Sequence, residues 1–105
     1  MASDKEYLDF ILEQLSDVDG VSFRAMMGEY IIYLKGRVAG GIYDNRLMIK
    51  PVASALAHVN DAVLEKPYDG GKEMLLVDNV DDRDYLTGLF NAIYDELPEP
   101  KKKKR

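Results

Sequence analysis

Apolar residues recur at helical spacing near both ends of the chain. The first stripe runs from Tyr7 to Leu15, with polar residues between its members, and predicts a helix that ends at Asp19-Gly20. Ser3, three residues before Glu6, is typical of a capping box at the start of that helix. A second stripe, from Tyr85 to Leu97, predicts a final helix. We expect Asp81 to cap this helix, and Pro98 and Pro100 to end it.

Between these helices the pattern changes to that of β-strands. Tyr30–Leu34 is β-branched and aromatic throughout, which favours a strand. Four strands are predicted: 21–24, 30–34, 38–43 and 46–50. Lys35-Gly36 and Asp44-Asn45 suit tight turns, and the short connections favour an antiparallel meander. Gly40-Gly41 inside a strand indicates a bulge or a close backbone approach.

The remaining segments complete an α+β domain. Pro51–Val59 is predicted to form a short helix, Asn60–Gly71 a loop, and Lys72–Val77 a last strand. The resulting order is α-β(3-4)-α-β-α, which predicts a two-layer fold with helices packed on one face of an antiparallel sheet. We place the domain at residues 1–98 and a disordered basic tail at residues 99–105.

The strand Tyr30–Leu34 is apolar on both faces. Tyr30, Ile32 and Leu34 point to one side and Ile31 and Tyr33 to the other, because side chains alternate along a strand. The helices can cover one face, so the second needs other cover. We therefore predict a homodimer; the alternative is that the short helix or the loop covers this face. Tyr33 and Phe90 are both predicted to be core aromatics.

Composition sets limits on the class of protein. The chain has 105 residues and no cysteine, which suits one domain and excludes disulfides and thiolate chemistry. No apolar run approaches the roughly 18 residues of a membrane helix, and the N-terminus lacks the pattern of a signal peptide. We expect a cytoplasmic protein with no membrane contact. The tail holds five of the 14 basic residues, so the remaining 100 residues carry a net charge of −10.

No pattern of catalytic residues is visible. His58 is the single histidine and lies in the apolar short helix, which favours a structural role over that of a base. Four aspartates, Asp78, Asp81, Asp82 and Asp84, are better explained by helix capping than by a cation site, since the EF-hand spacing is absent. We predict a non-enzymatic protein without cofactor or metal.

Three groups of residues are candidates for binding. Tyr30, Tyr33 and Tyr43 could form a stacking surface on the sheet, although core or dimer packing explains them as well. Four basic residues at strand ends could form a small binding patch or could simply be solvated: Arg24, Arg46, Lys50 and Lys72. The tail is a candidate for nucleic-acid attraction or a solubilising end: Lys101, Lys102, Lys103, Lys104 and Arg105.

The central block, Phe23–Arg37 followed by Gly41–Lys50, resembles the N-terminal domain of the TfoX/Sxy family. The shared features are an Arg, a Met-Gly turn, an aromatic-rich strand, a Gly turn and a second hairpin that ends in Leu-x-x-Lys. Pro67-Tyr68 and Lys72 resemble later positions of that family. The resemblance covers roughly residues 5–97, but the separate C-terminal helical domain of full-length TfoX is absent.

The resemblance implies a secretion-chaperone-like α+β fold, often dimeric, and a regulatory role. TfoX-type proteins act on DNA-uptake genes together with a cyclic-AMP-responsive transcription activator, which implies a protein partner such as a transcription regulator. Our leading hypothesis is therefore a regulatory binding domain. A direct nucleic-acid binder and an enzyme of unfamiliar type are the alternatives.

Overall fold

The computed structural model describes residues 3–59 and 62–98 of the chain. Within these ranges the elements follow the order α1 (Lys5–Gln14), β1 (Val21–Met26), β2 (Glu29–Leu34), β3 (Arg37–Ile42), β4 (Leu47–Ile49), α2 (Ala53–His58), β5 (Leu64–Glu65), β6 (Met74–Leu76) and α3 (Arg83–Ile93). A turn of 3-10 helix, Tyr94–Glu96, follows α3. No helix in the described part of the chain is long and apolar enough to cross a membrane.

The strands form one antiparallel sheet in the order β1-β2-β3-β4-β6-β5. This arrangement confirms the predicted α+β class and the meander of the first four strands. The predicted last strand is β6. It lies between β4 and β5, and β5 forms the edge of the sheet. The strand β5 was not predicted: it lies in the predicted loop and has only two residues, too few to show a period.

The hydrophobic core lies between the helices and one face of the sheet, here called the helix face. The sheet contributes fully buried aliphatic side chains from β2, β3, β4 and β6: Ile32, Leu34, Ile42, Leu47, Ile49 and Leu75. The helices contribute Leu8, Ile11, Leu86, Leu89, Phe90 and Ile93. Most of each helix's apolar stripe therefore packs as predicted, and Phe90 is a core residue, but Phe10 of the first stripe is exposed.

Tight turns fix the register of the meander. Residues 27–28, 35–36 and 44–45 all have φ between 52° and 85°, as hairpin turns of the primed types require. Gly40 explains the glycine pair inside β3: a Cβ atom there would lie 2.6 Å from the Cα atom of Ile49 on β4. The register also shifts between Ile32 and Tyr33, which leaves Ala39 as the extra residue of a bulge. The structure thus has both features predicted for this part of β3: a close backbone approach at Gly40 and a bulge next to it at Ala39.

The helix caps differ from the predicted ones. Asp4, not Ser3, occupies the N-cap of α1, and the Ser3 hydroxyl donates to Glu29 Oε1 at 2.6 Å. The predicted capping box is wrong because the Asn45 amide donates to Ser3 Oγ at 3.0 Å, in the place of the Glu6 amide. Asp82, one residue after the predicted cap, accepts from the Tyr85 amide at 3.0 Å. The first helix also ends at Gln14, earlier than Gly20, since residues 15–20 form turns.

A long-range contact replaces the missing cap of α2. Its N-cap position holds Val52, whose side chain cannot accept a hydrogen bond. Instead Glu96 Oε1 accepts from the Ser54 amide at 2.8 Å. This bond, together with one to the Ser54 side chain, lowers the pKa of Glu96 below 4.5. Glu96 thus connects the end of the last helix to the start of the second.

Replacing Glu96 with glutamine is expected to make the melting temperature less dependent on pH. The folded state lowers the pKa of this carboxyl, so its contribution is present above pH 4.5 and is lost as the pH falls through the folded-state pKa. The difference in melting temperature between the wild type and Glu96→Gln should therefore shrink below pH 4.5. Asp95→Asn, which removes the same charge next door, is the matched control. An unchanged difference from pH 7 to pH 3 would contradict the prediction.

Candidate functional site

The face of the sheet opposite the helix face is here called the open face. The register places one row of residues across it: Arg24, Ile31, Gly41, Met48 and Leu76. Because side chains alternate along each strand, Met26, Glu29, Tyr33 and Tyr43 share this face. The predicted division of β2 between the two faces is therefore correct. The prediction that Tyr33 is a core aromatic is wrong, because Tyr33 and Ile31 lie half-buried on the open face, outside the core under the helices.

The connection after β5 covers part of the open face. Met48 is fully buried although it lies outside the core under the helices. Pro67 is buried too, and the Tyr68 ring packs on Tyr43 with 6.0 Å between centroids and an angle of 60°. The alternative that the loop covers this face is thus partly met. The short helix α2 does not share in it, because it packs beside α3 with Ala55 in the main core.

The uncovered part of the open face forms a groove of about 480 Å³. Its lining is mostly apolar and comes from β1, β2, the turn between them, the end of β3 and the covering loop: Met26, Met27, Glu29, Ile31, Tyr43 and Tyr68. Met27 is 96% exposed and Tyr68 61% exposed. Large apolar side chains therefore lie in water around a concave surface, which is typical of an interaction site.

Gly41 gives the groove its shape. A Cβ atom at this position would lie 2.7 Å from Tyr43 Cε2 and 2.6 Å from the Tyr30 carbonyl oxygen. The glycine therefore lets the Tyr43 ring lie across the sheet, where Tyr68 can pack on it. Burial, followed by the nearby Tyr68 and Glu29, raises the pKa of Tyr43 above 10.0. The Tyr43 hydroxyl, protonated at neutral pH like that of any tyrosine, can donate a hydrogen bond.

Glu29 is committed to the fold rather than to chemistry in the groove. Its Oε1 atom accepts from the Ser3 hydroxyl at 2.6 Å and from the Asp44 amide at 3.2 Å. The Asn45 amide donates to Ser3 Oγ at 3.0 Å, and the Asp4 amide donates to Asn45 Oδ1 at 2.8 Å. These bonds attach the start of α1 to the turn between β3 and β4. The single carboxylate of the groove is thus a structural group.

The four predicted basic residues are spread over the sheet. Arg24 is exposed in β1, three strand spacings or about 14 Å from β4. Arg46 is engaged by Glu65 Oε1 at 2.6 Å and the Tyr43 carbonyl at 3.1 Å. Lys50 follows β4, half-buried, and Lys72 is exposed before β6. By the alternation of side chains along a strand, Arg24 and Lys50 are both on the open face. The tail residues, 101–105, lie outside the described residues.

The remaining sequence candidates have packing roles. The His58 ring lies 5.3 Å from that of Tyr85, between centroids, and within 3.5 Å of where a Cβ of Gly88 would be. Tyr30 lies on the helix face and packs edge-on against Phe23 at 6.0 Å. Across residues 3–59 and 62–98, His, Asp and Glu form no group of three that could hold a metal ion.

Sequence reasoning missed two sides of the groove. Met26 ends β1, and Met27 is the first residue of the hairpin turn. The Met-Gly pair at 27–28 indicates a turn in the sequence but does not indicate a groove. Tyr68 lies between Pro67 and Gly70-Gly71, a composition typical of a turn, and nothing in that pattern indicates that the loop folds back onto the sheet. One combination in the sequence could have indicated this contact: a strand that is apolar on both faces, followed by a Pro/Gly-rich loop that contains a Tyr.

The fold and the open face together define a small α+β domain with an exposed apolar groove on its sheet. Its sequence is 30% identical over 105 residues to a protein of Spirochaeta aurantia, "Uncharacterized 12.7 kDa protein in trpE 5'region", with 99% of this chain and 91% of that protein covered. The chain belongs to the same family as that protein. No protein-family profile matches the chain, and no solved structure matches it.

Proposed function

We propose that this protein is a non-catalytic regulatory domain that binds an apolar segment of a protein partner in its groove. The observation that supports this most is the exposure of Met27 and Tyr68 beside a concave, mostly apolar surface. Met adapts its shape to different partners, and Tyr supplies contact area with a polar end. Both residue types are enriched at protein interfaces. The one carboxylate there is bonded to the fold, which suits binding better than catalysis.

The resemblance to the TfoX/Sxy N-terminal domain supports a regulatory use of this binding. It suggests a transcription regulator as the partner and a role in competence or another transcriptional response. A cytoplasmic location and a homodimeric state belong to the same proposal. The Met-Gly turn that carries part of the resemblance, Met27-Gly28, also forms one end of the groove.

Changing Met27 to Glu or Tyr68 to Ala is expected to weaken partner binding by roughly tenfold or more, because truncated anchor residues at interfaces typically cost above 1 kcal/mol. Proteins retained from the native cell would first be compared for wild type and variants, and the affinity of the retained partner then measured with purified protein by calorimetry. Leu56→Glu, at an exposed apolar residue of α2, is the matched control. Equal affinity for the wild type and both groove variants would contradict the proposal.

Direct binding of single-stranded nucleic acid is a second candidate. Tyr33 and Tyr43 lie on the same face as Arg24, so aromatic and basic groups share one sheet surface. The acidic remainder of the chain opposes it. Fluorescence anisotropy with a labelled single-stranded oligonucleotide distinguishes the two: binding that weakens with salt, and is lost on deleting residues 101–105 or in Arg24→Ala, would favour this candidate.

A further inference from the structure

We propose that two copies of the protein pair antiparallel along β1, with Phe23 opposite Phe23, so that their sheets become continuous. The pairing specifies the contact surface and the strand register of the homodimer. It rests on the proposed function only in taking the protein to be a dimer. The pairing leaves the open-face groove of each copy free. The proposal is based on three features of β1: its exposed edge, the direction in which its peptide groups point, and the absence of acidic residues around it.

β1 is an edge strand of the sheet. Among residues 3–59 and 62–98 it pairs only with β2, through six successive residue pairs without a bulge, and five of its six residues are exposed. Natural edge strands are usually short, or carry proline, bulges or inward-pointing charges that prevent pairing. The opposite edge, β5, has two residues. β1 has no proline and one charged residue, Arg24, so it presents the longer pairing edge of the described sheet.

The bonds to β2 show which groups face outward. The Lys35 amide donates to the Gly20 carbonyl at 2.8 Å, so residue 20 bonds towards β2. Bonding alternates along an antiparallel strand, and residues 22, 24 and 26 therefore also bond towards β2. The N–H and C=O groups of Val21, Phe23 and Ala25 then point away from the sheet, where a second strand can use them.

Symmetry and charge select the register. A twofold axis perpendicular to the sheet keeps the helices of both copies on one side and must pass through a single residue position. Centring on Arg24 would place two guanidinium groups opposite each other, which is unfavourable. Centring on Phe23 places two aromatic rings together on the helix face, sets Val21 opposite Ala25, and sets Ser22 opposite Arg24.

The region around this edge favours a second copy of an acidic chain. Residues 20–28 contain no Asp or Glu, while the chain as a whole carries a net charge of −5, so two copies repel each other least here. A recess of about 550 Å³ lies beside the edge, and its lining is mixed: the apolar part includes Leu12, Leu15, Val18 and Phe23, and the polar part Ser16, Asp19 and Ser22. Phe23 is 43% exposed there. The recess adds apolar surface that pairing of strands alone would lack.

Single-cysteine variants test the register, because the chain has no cysteine of its own. In Phe23→Cys the two Cα atoms would be about 5.5 Å apart, within the usual range for a disulfide. Ala25→Cys is the matched control: its two Cα atoms would be about 14 Å apart, four residues along the strand. We expect a disulfide dimer on oxidation of Phe23→Cys and of the double variant Val21→Cys/Ala25→Cys, but not of Ala25→Cys.

A second measurement needs no cysteine. Ala25→Pro removes an N–H that β2 does not use, so the fold should persist while dimer dissociation rises by about tenfold or more. Sedimentation equilibrium at micromolar concentration should show a dimer for the wild type and for Ala25→Ser, and an 11.9 kDa species for Ala25→Pro, with circular dichroism confirming the fold. Tyr68→Ala, which changes the groove outside residues 20–28, should still form the dimer, and this separates the test from that of the groove. A monomeric wild type, or equal cross-linking of Phe23→Cys and Ala25→Cys, would overturn the pairing.

Discussion

Replacing Phe90 with alanine is expected to lower the free energy of unfolding by about 3–5 kcal/mol, as large-to-small changes of buried aromatics do. Phe90 is fully buried in α3 and belongs to the core between the helices and the sheet. Removing its ring takes away apolar contact and leaves a cavity that the packed helices can close only in part. Urea unfolding followed by circular dichroism measures the loss.

Tyr33→Ala provides the comparison for Phe90→Ala. The sequence gives both residues an apolar pattern, yet Tyr33 lies half-buried on the open face while Phe90 has no exposed surface. We expect Tyr33→Ala to cost less than half as much, since part of its ring already contacts water. Equal losses at the two positions would mean that the core lies on both faces of the sheet.

Gly40→Ala is expected to cost about 3 kcal/mol or more, at the upper end of what overpacking costs. The added Cβ atom would meet the backbone of β4, at the Met48 carbonyl oxygen and 2.6 Å from Ile49 Cα. A backbone cannot move aside as a flexible side chain can, so β3 and β4 must separate. The thermal unfolding midpoint and the amide signals of these strands report the effect.

Gly88→Ala is the matched control for Gly40→Ala and should have the opposite sign. Gly88 lies inside α3, and a Cβ atom there would be 3.5 Å from the His58 ring, an ordinary contact. Alanine is favoured over glycine in a helix interior by about 0.5–1 kcal/mol. A loss of stability in Gly88→Ala would contradict the contact described at His58, and no loss in Gly40→Ala would contradict the close approach of β3 and β4.

Local patterns predicted the meander because each of its connections is a tight turn whose residues show their conformation in the sequence. Asp44-Asn45 and Lys35-Gly36 tolerate positive φ, and the alternation of β2 then fixes which side chains share a face. The caps could not be predicted in the same way. Ser3 Oγ accepts from the Asn45 amide, which is 42 residues away, so a tertiary donor takes the place of the Glu6 amide.

The candidate site was predicted in part for the same reason. Alternation correctly placed Ile31 and Tyr33 on a second apolar face, but the groove also needs Tyr68, which comes from a loop without any period. From their positions at strand ends, the basic residues were interpreted either as one small patch or as ordinary solvated strand ends. The meander, whose order was predicted, places Arg24 and Lys50 three strand spacings apart across the sheet.

The insertion of β6 between β4 and β5 has a consequence for native-state hydrogen exchange. Strands β1 to β4 pair with their neighbours in sequence. In contrast, β5 and β6 contain five residues in total and are separated from β4 by α2 and its connections. Short edge elements open at lower free energy than long central ones. The amides of Leu64, Glu65 and Met74 should therefore exchange faster than those of β2 and β3. The side of the groove formed by Tyr68 should then loosen at a lower free energy than the side formed by Ile31 and Tyr43.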